Sequence, residues 1–289
     1  MIPGNFEYHR PSSVDEALAL LERYGDDGRV LAGGHSLIPM MKLRFAEPAH
    51  LIDLQALDDL TGIAEAGGEI RIGAMTTQAE ILDSPLLAER CPILPETSGL
   101  TADPQVRYCG TVGGNVANGD PGNDMPAVMI ALGASYVLKS HSGERAVQAD
   151  GFYKGIYATA LEANELLTEI RIPTPRPGHG YAYQKMKRKV GDYATAAAAV
   201  VLTLEGGACT QAAIALTNLG ATPLSAADAA ASLIGRALDD AAVGEAAERA
   251  MQIADPADDL RGPAEFRKHM AGEMTRRAIR AALGRAKGG

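Results

Sequence analysis

The chain has 289 residues, 46% hydrophobic and 22% charged, and its 36 acidic against 27 basic side chains leave a formal net charge of −9. That is a folded, globular composition, longer than one core usually fills, so two domains or subdomains are expected. The acidic balance argues against nucleic-acid binding, since the single basic cluster at 185–189 is too short to neutralise a run of phosphates. No apolar run nears the roughly 18 residues of a membrane span, and the first ten residues lack the basic-then-apolar order of a secretory leader, so a cytoplasmic protein is expected.

In chain order, Ser13 and Glu16 stand at capping-box spacing before Ala17, Leu18, Leu20 and Leu21, which starts a helix. A strand over 29–32, the bend Gly33-Gly34-His35-Ser36, a helix over 37–45 and a strand over 50–54 complete a small first unit. Gly67-Gly68 separates two short β-like runs, which predicts a hairpin. The spacing then predicts a strand over 70–74 and helices over 76–82 and 92–100. A long non-periodic stretch, 101–123, precedes an apolar helix over 124–132 and strands over 135–139 and 166–172. Pro173, Pro175 and Pro177 cannot donate to a sheet and mark a linker. Beyond it, three strands (181–189, 195–204 and 212–218, with a Gly206-Gly207 hairpin turn) and helices over 225–234, 240–254 and 263–286 predict an α+β unit. The expected domains are 1–177, with subdomains 1–55 and 56–177, and 178–289.

Chemistry is narrowed by what is absent. Cys91, Cys109 and Cys209 are too scattered to hold an iron-sulfur cluster, and the six histidines form no HxH or HExxH spacing, so no metal site is expected. Glycine is in excess, 32 residues where about 20 are usual. Two of its pairs lie outside hairpins. Ala32-Gly33-Gly34-His35-Ser36 joins a strand to a helix, where amides and a helix start can cradle an anion; an ordinary tight turn would read the same way. Thr111-Val112-Gly113-Gly114-Asn115 lies in the non-periodic stretch, whose apolar insertions argue for an ordered, functional segment. Together the two suggest a diphosphate gripped from two sides by amides and by the hydroxyls of Ser36 and Thr111. Asp124 would accept bonds from sugar hydroxyls, or simply cap the helix it begins. No G-x-G-x-x-G follows a strand, which disfavours a Rossmann nicotinamide site.

These two bends, with Asp103-Pro104-x-Val106-Arg107 before the second and Asp124 after it, resemble the FAD-binding subunits of the molybdenum hydroxylases, the xanthine dehydrogenase family. The segments 32–44, 103–127 and 178–199, the last carrying Lys185 and Gly191-Asp192-Tyr193-Ala194, more narrowly resemble the medium subunits of aerobic molybdenum-containing carbon monoxide dehydrogenases. The resemblance implies an α+β FAD-binding domain of the vanillyl-alcohol-oxidase type, built of two subdomains, and a C-terminal flavoprotein domain with a three-stranded antiparallel sheet and packed helices. It implies non-covalent FAD held by Arg29, Val30, Leu31, Ala32, Gly33, Gly34, His35, Ser36, Leu37, Thr101, Thr111, Gly113, Gly114, Asn115, Asp124, Leu166 and Lys185. A gapless match to xanthine dehydrogenases puts Gln184 in place of Lys185. Tyr193 would cover the flavin ring, or be a core tyrosine.

No catalytic residue is implied in this chain. Substrate would be oxidised at a molybdenum-cytosine-dinucleotide centre in a large partner subunit, and electrons would pass through [2Fe-2S] clusters of a small one to FAD and on to an acceptor such as quinone or a membrane-associated carrier. The expected assembly is a dimer of heterotrimers, cytoplasmic or held at the inner membrane face through the complex. The overall reaction would be CO + H2O to CO2 with two electrons and two protons. Two alternatives stay open: the flavin subunit of a hydroxylase acting on a purine, aldehyde, N-heterocycle or aromatic CoA thioester, and a scaffold subunit without cofactor.

Overall fold

Three parallel strands and two helices begin the chain: β1 (Glu7–His9), α1 (Val14–Tyr24), β2 (Gly28–Leu31), α2 (Leu37–Lys42) and β3 (His50–Asp53), with strand order β1-β3-β2 in the computed structural model. Residues 1–288 are described, with side chains to 286; Gly289, the last residue of the expected C-terminal domain, lies outside them. Ser13 caps α1 by accepting the Glu16 N–H, but the Glu16 carboxylate takes its return bonds from the Ser12 N–H and hydroxyl, one residue earlier than a capping box requires. The expected first unit gains β1, whose three residues are too few to show a period.

The second sheet is antiparallel, in the order β4-β5-β10-β6-β7. It comprises β4 (Ile63–Ala66), β5 (Glu69–Gly73), β6 (Ser135–Ser140), β7 (Gly143–Gln148) and β10 (Leu166–Pro173), with a small β8 (Tyr153–Gly155) and β9 (Ala158–Thr159) pair beside it. Gly67 and Gly68 have φ of +63° and +81°, the two left-handed positions that a two-residue hairpin with native twist requires. Between β5 and β6 come six short helices: α3 (Gln78–Asp83), α4 (Pro85–Arg90), α5 (Ile93–Leu100), α6 (Pro104–Cys109), α7 (Val112–Ala117) and α8 (Asp124–Ala131). The stretch expected to be non-periodic is therefore partly helical. Its helices are six residues each, shorter than two turns, and their capping signals, Asp103 before Pro104 and Thr111 before Val112, carry the information that periodicity cannot.

The C-terminal sheet corrects another expectation. It has four antiparallel strands rather than three, ordered β11 (Gly180–Met186), β12 (Ala196–Glu205), β13 (Ala208–Thr217) and β14 (Leu224–Ser225). The fourth is two residues long and takes up Ser225, where the helix was expected to start, so α9 shrinks to Ala227–Ala231, followed by α10 (Asp240–Ile253) and α11 (Ala264–Gly288).

One face of this sheet, carrying Tyr183, Ala197, Ala199 and Ala215, joins the core of the five-stranded sheet and α8. The other, carrying Ala182, Ala198 and Val200, packs on α9, α10 and α11. The run of alanines in β12 suits a strand covered on both sides, because small side chains let both layers approach. A separate small core under the parallel sheet gathers Leu18, Ile52, Met75 and Leu166.

Candidate functional site

The two glycine bends meet backbone to backbone. A methyl group on Gly33 would lie 2.2 Å from the Cys109 carbonyl oxygen and 2.7 Å from Gly110 Cα, and one on Gly114 would lie 3.4 Å from Ala32 Cβ. Side chains would hold these segments apart, so their absence is what brings residues 32–36 against residues 109–114. Gly113 has a different duty: its Cα faces Ala74, whose carbonyl oxygen would be 2.5 Å from an added methyl and accepts the Gly113 N–H at 2.9 Å. It seats α7 against the end of β5.

The amides of the two bends are not equivalent. Among the described residues, the backbone N–H groups of Gly33, Gly34, His35 and Ser36 donate to no other group of the chain, while the Gly34 carbonyl accepts from Ile38. The second bend keeps its amides for itself: Val112 donates to Thr76, Gly113 to Ala74, Asn115 to the Thr111 carbonyl, and Gly114 to the Thr111 hydroxyl at 3.1 Å. The expectation of amides gripping an anion from both sides is corrected accordingly. Only the first bend offers a row of unspent donors; the second can contribute the Thr111 hydroxyl proton and the Asn115 side chain, whose Oδ1 is buried without a partner. Helix α2 has only six residues, so the local amides outweigh any helix dipole. Ser36 stands at its N-cap without using its hydroxyl to cap.

From Asn115 the site continues inward. The Asn123 side chain donates to the Asn115 carbonyl at 2.8 Å, which fixes the start of α8. Asn123, not Asp124, is the N-cap residue, so the capping alternative for Asp124 falls away. Asp124 is buried, with Lys185 Nζ 2.7 Å from Oδ2 and the Tyr183 hydroxyl 2.6 Å from Oδ1; the same Nζ donates to the Leu100 carbonyl at 3.1 Å. Burial pushes the Asp124 carboxyl above the usual carboxylate range, against the pull of Lys185 and Tyr183. Because Tyr183 and Lys185 project from the same face of β11, it is Lys185 and not Gln184 that faces α8 and the first half of the chain.

The remaining expected residues divide. Thr101 lies beside this network, buried, its hydroxyl bonded to Thr97. Gly191 lies 3.6 Å (from an added methyl) from the Ala102 carbonyl, so the turn carrying Tyr193 folds over 101–103, and the Tyr193 ring packs on Gly122 under Arg261. At 41% exposure Tyr193 is no core tyrosine. Arg29, Val30 and Leu31 lie on β2 leading into the first bend, His35 is exposed, and Leu37 opens α2. Leu166 opens β10 with its side chain 2% exposed in the small core.

Other positioning residues escape a reading of the sequence. Asn218, at φ +60°, donates its side-chain amide to the Ala194 carbonyl and its own N–H to the Pro121 carbonyl, tying the Tyr193 turn to the tail of the second bend. Arg267, nearly buried, donates to the carbonyls of Thr195, Asn218 and Ala257. Arg107 donates to the Thr101 carbonyl at 2.9 Å. Asn218 and Arg267 link segments far apart in the chain, while Arg107, the one that sat in a motif, braces the turn just before its own helix.

Comparison with known proteins gives the same picture over the whole length. Residues 4–175 match the family model described as the FAD binding domain in molybdopterin dehydrogenase, and residues 181–282 that of the CO dehydrogenase flavoprotein C-terminal domain. The chain is 59% identical over 287 residues to the carbon monoxide dehydrogenase medium chain of Afipia carboxidovorans, covering 99% of this chain and 100% of that one. It is 50% identical over 285 residues to the medium chain of Hydrogenophaga pseudoflava, covering 99% of each. It superposes with a TM-score of 0.97, at 58% identity and over 99% of its length and 100% of that chain, on a crystal structure of the Cu,Mo-CO dehydrogenase in its cyanide-inactivated form.

Proposed function

The chain belongs to the family of FAD-binding medium subunits of carbon monoxide dehydrogenases and related molybdenum hydroxylases, a family of oxidoreductase subunits, and from that premise we propose how its residues hold FAD and pass electrons through it. The observation that carries the proposal is the contact between two side-chain-poor bends beside four unpartnered amides. The amides of Gly33, Gly34, His35 and Ser36 and the hydroxyl of Ser36 bind the diphosphate. Thr111 and Asn115 close on it from the second bend, the orphaned Asn115 Oδ1 accepting a sugar hydroxyl. Arg29, Val30, Leu31, Ala32 and Leu37 frame the first bend, and Gly113 and Gly114 let the second come close. Asp124, Lys185, Thr101 and the backbone at Leu166 border the flavin end, and Tyr193 covers the ring. The attachment is non-covalent.

When bound, FAD supplies a ring that takes up electrons and releases them to an acceptor. The chain's own part is to place that ring, exclude water behind Tyr193, and set the local field through the Asp124–Lys185 pair. The partners are a large subunit with the molybdenum-cytosine-dinucleotide centre and a small subunit with the [2Fe-2S] clusters, in a dimer of heterotrimers. The acceptor is quinone or a membrane-associated carrier, reached from the cytoplasmic side; among the described residues no helix is long and apolar enough to cross a membrane. The net reaction is CO + H2O to CO2, two electrons and two protons. The proline linker and the limits of the two family matches support a domain boundary at 177–178, with the first domain split near residue 55 and of the vanillyl-alcohol-oxidase type.

The test is to strip flavin from the purified complex and restore it. CO should still reduce the iron-sulfur centres of the stripped complex but pass no electrons to an external quinone, and one FAD per medium chain should restore the transfer. Quinone reduction that survives without flavin would support the scaffold reading. Reduction by an N-heterocycle or aldehyde but not by CO would move the chain to a related hydroxylase.

A further inference from the structure

The histidines, scattered in the sequence, do not stay scattered. Parallel pairing of β1 with β3 sets Glu7 opposite His50, and His9, two residues along β1, projects from the same side. His9 Nε2 and His50 Nδ1 are 3.0 Å apart, and Glu7 Oε2 lies 3.5 Å from the second and 4.0 Å from the first. Among the described residues this is the one place where three such side chains offer donor atoms to a common point. Four ligands at about 2.05 Å around a tetrahedral ion stand about 3.3 Å apart, so the observed triangle needs only a slight spreading of the imidazoles and a small swing of the carboxylate. The imidazoles are held, with side chains about one-fifth exposed and the Tyr24 ring stacked on His50 at 3.6 Å and 13°; the carboxylate, 73% exposed, is free to swing.

The geometry points to a metal site at Glu7, His9 and His50 that takes a zinc-class divalent cation. Two imidazoles and one carboxylate, without a thiolate, suit Zn2+, with water in the fourth position. The ion would fasten β1, an edge strand of three residues, to the central strand β3, whose other neighbour β2 leads into the Gly33 bend. The role is structural, and it stands whether or not the flavin assignment does.

The full chain, freed of metal with a chelator, should be titrated with Zn2+ by calorimetry and with Co2+ by difference absorption. One equivalent should bind, the Co2+ spectrum should lack thiolate charge transfer, and saturating Zn2+ should raise Tm. His9→Ala and His50→Ala should weaken binding at least about a hundredfold. Glu7→Gln, at an exposed position that leaves the fold intact, should weaken it about tenfold, and this variant decides the matter if either histidine variant fails to fold. Absence of stoichiometric binding, affinity unchanged in Glu7→Gln, or thiolate bands pointing to the exposed Cys109 would each overturn the site and leave a hydrogen-bonded histidine pair.

Discussion

At the scale of single residues, the glycines of the two bends differ in what they exclude. Gly33→Ala drives a methyl into the fixed backbone of Cys109 and Gly110, so it should both abolish flavin retention and destabilise the fold by about 1–3 kcal/mol, the usual cost of overpacking. Gly34→Ala meets only side chains, those of Ile38 and Leu31, but sits at φ +76°, and should cost about 1 kcal/mol while weakening flavin retention less. Flavin content of the purified complex and urea unfolding of each variant measure both. Equal flavin loss in the two would mean that approach to the cofactor, and not contact between the bends, is what Gly33 protects. The buried Asp124–Lys185 pair gives a second prediction. Lys185→Met strands a buried carboxyl and should cost about 3–5 kcal/mol, whereas Lys185→Met with Asp124→Asn should recover most of it. A double-mutant cycle by denaturant unfolding checks this; additive losses would contradict the coupling. The pairing could not be read from the sequence. Asp124 and Lys185 are 61 positions apart, and only the alternation of β11 against α8 brings them together.

At the scale of elements, the large sheet ends on the edge strand β7, whose residues are mostly exposed. Arg145 anchors it through two bonds to the Glu165 carboxylate and one to the Ala160 carbonyl. The Arg145 guanidinium holds the Glu165 carboxyl below its ordinary range. A carboxylate with a depressed folded pKa stabilises the fold above its unfolded pKa, and that contribution is lost as pH falls through the folded value. Glu165→Gln should therefore cost about 1 kcal/mol at neutral pH, a modest figure because Arg145 is partly exposed, and the loss should vanish in acid. Unfolding midpoints at neutral and acid pH measure it; a pH-independent difference would refute the ionic account. Elements with a long period or a strong punctuation mark were legible in the sequence: α10, α11, the proline linker and both glycine hairpins. Of the short elements, β2, β3, β5 and α3 were legible from flanking turns or a cap, whereas β1, β14, α6 and α7 were not, because a fragment shorter than two periods carries little periodicity and its cap must be read instead.

At the scale of the whole molecule, the site is a meeting of distant segments. The first bend, the second bend, the start of α8 and the Tyr193 turn reach it from four parts of the chain, held by contacts such as Asn218 to Pro121 that no local pattern announces. The two glycine bends were legible as candidates that could meet; the contrast between free amides in one bend and spent amides in the other was not, since it depends on what each N–H meets in three dimensions. That asymmetry is the central claim and can be measured by hydrogen exchange on the complex with and without FAD. Peptides covering 33–36 should exchange fast without flavin and become protected when it binds, while those covering 112–115 should be slow in both states. Protection gained at 112–115 with none at 33–36 would contradict the account.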